Sequence, residues 1–133
     1  MGPTMRDEGM ADNLEARLVD FAVRILNVAT ALPRTTAGKH LAGQLLRCGT
    51  SAAPNYAEAR GSESRADFVH KLKIALKELN ECHVWLRIIC KAGLLKATLL
   101  DPLIDENKQL CRILNASATT ARTRNFLATA NAK

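Results

Sequence analysis

The basic residues of this sequence have the type and spacing that could bind an anionic ligand. The chain holds 19 Lys and Arg residues against 13 Asp and Glu residues, which gives a net charge of +6. Several bases recur within one long helical pattern, and at 100° per residue they fall on one polar side of that helix. The members of this polar side are Lys73, Lys77, Asn80, Arg87 and Lys91. A row of cations on one helix favours contacts with a phosphate backbone; a solvated helix face is the alternative interpretation.

Two further bases belong to the helical segment that precedes this one. The nucleic-acid-binding hypothesis therefore comprises Arg47, Arg60, Lys73, Lys77, Arg87 and Lys91. No aromatic side chains alternate with these bases, so we expect contacts to the nucleic-acid backbone with weak sequence specificity. The competing hypothesis is a scaffold for a protein partner, in which the positive charge serves solubility only.

A polar group surrounds a proline in the same preceding segment. Pro54 removes one backbone donor from a helix, and Asn55 could bond the carbonyls that this frees. Glu58 could pair with Arg47 or with a lysine of the next helix. We predict that Arg47, Asn55 and Glu58 form a structural polar network, because polar groups inside a bundle must be satisfied. A ligand site at the kink is the alternative.

The cysteines do not form the spacings of a metal site. They are Cys48, Cys82, Cys90 and Cys111, without any C-x-x-C pair. We predict buried, reduced thiols that act as small hydrophobic residues. Cys82 and His83 are adjacent, but two residues of one helix do not supply the ligands of a zinc site. The sequence therefore predicts no metal and no cofactor.

Catalytic patterns are missing from the sequence. It has no Gly-rich phosphate loop and no Glu-x-x-His motif. Glu78 and Glu81 could share a helix face, but Lys71 and Lys77 offer them ordinary ion pairs. We predict a non-enzymatic protein with no catalytic residues.

Apolar residues at alternating spacings of three and four mark the helices, as is typical of a bundle. The first helix carries Leu14, Leu18, Phe21, Ile25, Val28 and Leu32, and the third carries Leu72, Ala75, Leu79, Cys82, Leu86 and Ile89. Val19 and Leu26 add a second, narrower row to the first helix. A fourth helix is predicted from a Thr98 cap to about Leu114.

The second helix is predicted to begin at Thr35 or Thr36 and to end at Gly61. Because Pro54 lies inside it, we expect a kink near Thr50 and Ser51. The third helix is predicted to start after Ser62 or Ser64 and to run to about Ala92, where Gly93 ends it.

Composition and length favour one all-α domain. Hydrophobic residues make up 47% of the chain and aromatic residues only 4%, which suits packed helices. We predict an up-down-up-down four-helix bundle over residues 13–117, a disordered arm over 1–12 and a flexible basic tail over 118–133. No apolar run approaches the length of a membrane helix and the N-terminus does not resemble a signal peptide, so we expect a cytoplasmic protein that does not bind membranes.

A second apolar patch lies opposite the seam of the third helix. Its members are Ile74, Trp85, Ile88 and Ala92. One packed face suffices for a monomer, so this patch predicts a surface that another subunit buries.

The stretch from Gln44 to Ile89 resembles the signature of the four helix bundle protein family, which includes the intervening-sequence proteins encoded within bacterial 23S ribosomal RNA genes. The matching residues are Gln44, Leu45, Arg47, Thr50, Ser51, Asn55, Glu58, Ser64, Asp67, Phe68, Lys71, Ala75, Lys77, Glu78, Trp85 and Leu86. Their order and spacing together are specific, and the resemblance covers about residues 14–114.

The resemblance implies a left-handed bundle that assembles as a homo-oligomeric ring, commonly a homopentamer. A bundle similar in fold, the accessory variability protein of diversity-generating retroelements, works with a reverse transcriptase and its RNA. The resemblance supports the fold and the assembly and hardly helps to assign a function, because fold alone does not specify function. The basic residues are what lead us to expect RNA or a nucleic-acid-processing protein as a partner besides the chain itself.

Overall fold

The computed structural model describes residues 5–131, which form five helices and no strand. They are α1 (Met5–Ala31), α2 (Thr36–Gly49), α3 (Ala52–Arg60), α4 (Arg65–Lys91) and α5 (Ala97–Asn131). A two-residue break separates α2 from α3, and together they form one interrupted helix. The predicted all-α four-helix bundle is confirmed.

The helices run alternately up and down. α4 packs against α5 and against α2 and α3, while α1 packs against α2, α3 and α5. α1 and α4 therefore occupy diagonally opposite corners of the bundle and run in the same direction.

The 3–4 spacing of apolar residues forms the core as predicted. Every member of the α4 seam is fully buried, and the α1 row from Leu14 to Leu32 is buried as well. One polar residue, Asn107 of α5, is completely buried, and its Nδ2 donates to the Leu79 carbonyl at 3.1 Å. Because this bond satisfies the amide, Asn107 fixes the height of α5 against α4.

The predicted kink is a complete break between α2 and α3. Thr50 and Ser51 lie outside both helices, and Pro54 falls in the first turn of α3, where a missing backbone donor costs little. At the end of α2, a Cβ on Gly49 would lie 2.6 Å from Ile25 Cγ2. The absent side chain therefore lets α1 approach closely.

Local capping sets the other helix boundaries. Thr35 Oγ1 accepts from the Gly38 amide and Ser64 Oγ accepts from the Asp67 amide, each at 3.1 Å. Gly93 has a φ of 71°, and the Leu94 amide donates to the Ile89 carbonyl at 3.2 Å. This is the Schellman ending of a helix, which requires a residue that tolerates positive φ.

The outer ends of the chain differ from the predicted arm and tail. α1 already begins at Met5, and α5 continues through the predicted tail to Asn131. Adding residues to an existing helix costs much less than starting one, and buried Ala118 extends the core row of α5 beyond residue 117. The predictions for residues 1–4 and 132–133 lie outside the described residues.

Candidate nucleic-acid interface

The structure divides the six predicted phosphate-binding residues into two groups, and the first group is engaged within the protein. Arg47 of α2 forms ion pairs with Glu78, at 3.4 Å, and with Glu81, both of α4. Arg60 at the end of α3 pairs with Asp12 at 2.8 Å. The hydrogen bond that Arg47 donates to Glu81 raises the pKa of Arg47, and the one that Arg60 donates to Asp12 raises the pKa of Arg60. These two cations therefore connect helices.

The second group lies on the outer side of α4, where its side chains are available to contact a ligand. Lys73, Lys77, Arg87 and Lys91 are all exposed. None of them takes part in the ion pairs found among residues 5–131. We call these four residues the basic stripe; it extends about 27 Å along α4 at 1.5 Å per residue.

A shallow cavity of about 390 Å³ opens beside the basic stripe, between α4 and α5. It is lined by Val84, Arg87, Ile88, Cys90, Lys91 and Ile104. Its surface is mainly apolar, with two cations of the stripe at its edge. The cavity offers a ligand an apolar contact next to positive charge.

Lys108 of α5 adds a cation beyond the six predicted phosphate-binding residues. Burial lowers the pKa of His83, and the positive charges of Lys108 and Arg87 lower it further. Arg87, one turn further along α4, and Lys108, across the α4–α5 contact, therefore act on the same imidazole. Lys108 lies one turn after Ile104 on α5, and this spacing is the sequence signal that could have placed it beside α4.

His83 itself is unusual among the described residues. Its Nε2 is buried and has no hydrogen-bond partner within residues 5–131. A neutral imidazole fits this position better than a charged one, since a buried charge without a partner is costly.

The predicted polar network is divided into separate contacts. Asn55 Nδ2 donates to the Ser51 carbonyl at 2.9 Å and to Ser51 Oγ at 3.0 Å, so it closes the break between α2 and α3. Glu58 pairs with Lys71 of α4 at 2.7 Å. Arg47 pairs with the two glutamates of α4 instead, so the structure does not bring Arg47, Asn55 and Glu58 together.

Part of the predicted oligomer interface makes contacts within the subunit instead. Trp85 is half-buried: its ring forms a T-shaped pair with that of His40, with 5.9 Å between centroids, and its Nε1 donates to Glu81 at 3.4 Å. Ile74 is half-buried, whereas Ala92 is exposed and Ile88 is 42% exposed. Ile88 and Ala92 are therefore the parts of this patch that stay open to solvent.

Metal and thiol chemistry have little support in the geometry. No group of three or more His, Cys, Asp or Glu residues within the described chain could hold a metal ion. All four cysteines are free thiols, and Cys48 and Cys82 are buried. A hydrogen bond with Cys48, together with burial, raises the pKa of the Cys82 thiol, which makes it a poor nucleophile.

None of the helices described is both long and apolar enough to cross a membrane.

Comparisons with known proteins agree with this architecture. A comparison with curated proteins gives no match. Among solved structures, the chain is similar to a protein of unknown function from the S23 ribosomal protein family of Bacteroides thetaiotaomicron VPI-5482, at 31% identity and a TM-score of 0.75. The match covers 79% of this chain and 97% of that one. The family described as 23S rRNA-intervening sequence protein matches residues 15–116, and the chain belongs to this family.

Proposed function

We propose that this protein is a non-enzymatic, cytoplasmic RNA-binding bundle that contacts the phosphate backbone through the basic stripe of α4. The observation that carries the proposal is the division of the cations. Arg17, Arg47, Arg60 and Lys71 are each paired with carboxylates, whereas the four stripe residues have no such partner in residues 5–131. An unpaired cation releases more free energy on meeting a phosphate, because no existing ion pair must be broken.

The surroundings of the stripe strengthen the positive field. Lys108 acts on His83 together with Arg87, so the positive potential extends from α4 onto α5. Clustered charge of one sign attracts a polyanion and raises the association rate. The names of the family and of the solved relative refer to ribosomal RNA and to a ribosomal protein family, and this favours RNA as the polyanion.

The form of the stripe favours backbone contacts over base reading. Its four cations follow one helix, and the adjoining cavity is lined by aliphatic residues rather than aromatic ones. Base stacking on aromatic rings is therefore not available at this surface. We expect strong dependence on salt and weak dependence on sequence.

The test is fluorescence anisotropy with a labelled RNA, as a single strand and as a duplex, across a salt series. If each stripe cation contacts one phosphate of the duplex, a plot of log Kobs against log salt has a slope of about −3 to −4. The double variant K73E/K77E should flatten this slope by about 2 and weaken binding. The variant R34E/K96E changes the net charge equally, at exposed positions outside α4, and should keep the slope.

Two results contradict RNA binding by the stripe. Absence of binding at about 50 mM salt, where phosphate contacts are strongest, removes the nucleic-acid function and leaves a scaffold for a protein partner. Equal loss of binding in both double variants shows that net charge acts without the stripe.

We further propose that the protein acts as a homo-oligomeric ring, with five subunits as the number implied by the family resemblance. Ile88 and Ala92 support this proposal, because a soluble monomer gains nothing from a large exposed apolar side chain beside a half-buried tryptophan. Light scattering on the native chain tests it: a mass about five times 14.5 kDa agrees with a ring of five subunits, and the mass of one or two chains contradicts the ring.

A further inference from the structure

The cavity between α4 and α5 combines apolar walls with a cationic edge. Its volume of about 390 Å³ falls within the range of about 300–1,000 Å³ that is typical of small-molecule sites. Such sites often lie between the helices of bundles and are mainly apolar, with a few polar groups that orient the ligand. The walls of this cavity are Val84, Ile88, Cys90 and Ile104, and the cations at its edge are Arg87 and Lys91.

The apolar walls leave surface in contact with water. Val84 and Ile88 lie one turn apart on α4 and are 49% and 42% exposed. Cys90 and Ile104 are half-buried and pack against the core. Side chains of both helices therefore border the same hollow, and an apolar chain that enters it would release water from all four. The cavity thus favours a ligand with an aliphatic body.

The two cations favour an anionic group at the edge of the cavity. Arg87 and Lys91 are exposed, lie four residues apart on α4, and take no part in the ion pairs found among residues 5–131. Like charges at this spacing repel each other, and Lys108 adds a third positive charge that acts with Arg87 on His83. An anion between Arg87 and Lys91 would offset this repulsion. A carboxylate suits the position, because a guanidinium can donate two parallel hydrogen bonds to it.

The lining also indicates which anions fit poorly. Its six described residues offer no hydroxyl, amide or aromatic side chain. A nucleotide or a sugar phosphate would lose the hydration of its many polar groups without gaining hydrogen bonds in return. A molecule with one anionic group at the end of an aliphatic chain loses polar hydration only where the two cations replace it. The charge and the walls of the cavity therefore favour the same class of ligand.

We propose that this cavity binds a small aliphatic carboxylate, whose chain covers the apolar walls and whose carboxylate meets Arg87 and Lys91. Because these cations belong to the basic stripe, the ligand competes with RNA and so regulates its binding. The competition rests on the proposed function, whereas the ligand site rests on the cavity alone. Ile88 lies between Val84 and Trp85 around α4, at 100° per residue, so the cavity opens away from the side that carries the tryptophan.

Calorimetry with octanoate and octanol tests the site without RNA. The two probes share an eight-carbon chain and differ in charge, and both are used below the concentration at which they aggregate. Native protein should bind octanoate about tenfold more tightly than octanol, because two exposed ion pairs form. In R87Q/K91Q this preference should disappear, whereas K73Q/K77Q, which removes the same charge from the other end of the stripe, should keep it. The absence of octanoate binding, or a preference that survives in R87Q/K91Q, overturns the proposal.

A matched pair of valines tests the apolar walls. Val84 in the cavity and Val23 of α1 are each 49% exposed, so neither substitution disturbs the core. Val84→Asn should weaken octanoate binding by about fourfold, the effect of one buried methyl group, and Val23→Asn should leave it unchanged. Circular dichroism checks that both variants keep their helices. Equal octanoate affinities in V84N and V23N overturn the cavity as the place of the chain.

RNA binding tests the competition. Saturating octanoate should flatten the dependence of log Kobs on log salt by about 2, since two cations no longer meet phosphates, and octanol should leave the slope as it is. The sodium concentration is matched in all samples. An unchanged slope in octanoate overturns the competition. A native chain that binds no RNA contradicts the proposed function instead, and the calorimetry still decides whether the cavity is a carboxylate site.

Discussion

The two sides of α4 use charge in different ways. On the side that faces α2 and α3, the cations meet carboxylates: Arg47 pairs with Glu78 and Glu81, and Lys71 pairs with Glu58. On the side that borders α5, the cations of the basic stripe are exposed without ion pairs among the described residues, and Lys108 joins them. The first side holds helices together, and the second side is free to meet a ligand.

This difference shows why a count of basic residues overstates a binding surface. Both sides contribute to the same net charge, yet a cation that is already paired loses that pair when it meets a phosphate. A cation that is paired with a carboxylate holds helices together, whereas a cation without such a pair is free to meet a ligand. α4 also has a third, buried side, and mutations on the three sides should therefore affect different measurements.

The largest effect is expected on the buried side. Leu79→Ala removes a fully buried side chain and should lower the free energy of unfolding by about 2–5 kcal/mol, because the cavity collapses only partly. Val84→Ala, at an exposed position of the same helix, should change it by less than about 0.5 kcal/mol. Urea unfolding followed by circular dichroism measures both. Equal losses in the two variants would mean that α4 packs with a different face inward.

A smaller effect distinguishes paired from unpaired cations. Lys77→Ala should flatten the dependence of log Kobs on log salt by about 1, since one phosphate contact is lost. Arg47→Ala removes the same charge from the paired side and should leave the slope unchanged, while it weakens the attachment of α2 to α4. Anisotropy with labelled RNA gives the slope for each variant. If R47A flattened the slope as much as K77A, the paired side would also contact RNA, and the distinction between the two sides would be lost.

Those features of the fold that depend on the spacing of residues could be predicted from the sequence. The 3–4 seam from Leu72 to Ile89 predicts the buried face of α4 completely, because a helix of 3.6 residues per turn leaves no other arrangement. Pro54 predicts the place of the break. The helix ends were predicted less well: the mixed composition before residue 13 suggests an arm, but a helix already formed extends through it at little cost.

The candidate site follows from the sequence only in part. The stripe residues can be found from their shared angle on one helix. The engagement of Arg47 and Arg60 cannot, because their partners lie 34 and 48 residues away and come near only through packing. Lys108 could have been placed beside α4 from its spacing to Ile104, but its effect on His83 depends on packing between α4 and α5.

The smallest expected effect concerns the pKa of His83, which responds to charge on the side of α4 that borders α5. Burial, together with Lys108 and Arg87, lowers its pKa in the folded protein. The unfolded chain therefore binds the proton more readily, and this residue costs stability as the pH falls below about 6.5, the usual histidine value. His83→Gln should remove that part of the pH dependence of unfolding.

Bound RNA should cancel the part of the shift that Lys108 and Arg87 cause, while the larger part caused by burial remains. Phosphates beside Arg87 and Lys108 would offset their positive charge, so the pKa of His83 should rise when RNA binds, and Lys108→Gln should raise it in the absence of RNA. Titration of the His83 ring by NMR, with and without RNA, measures both changes. A His83 pKa that responds to K108Q but not to saturating RNA would show that the imidazole senses this side of α4 while the RNA lies elsewhere. In that case the RNA would not contact the part of the stripe around Arg87, since negative charge cannot approach Arg87 without acting on His83.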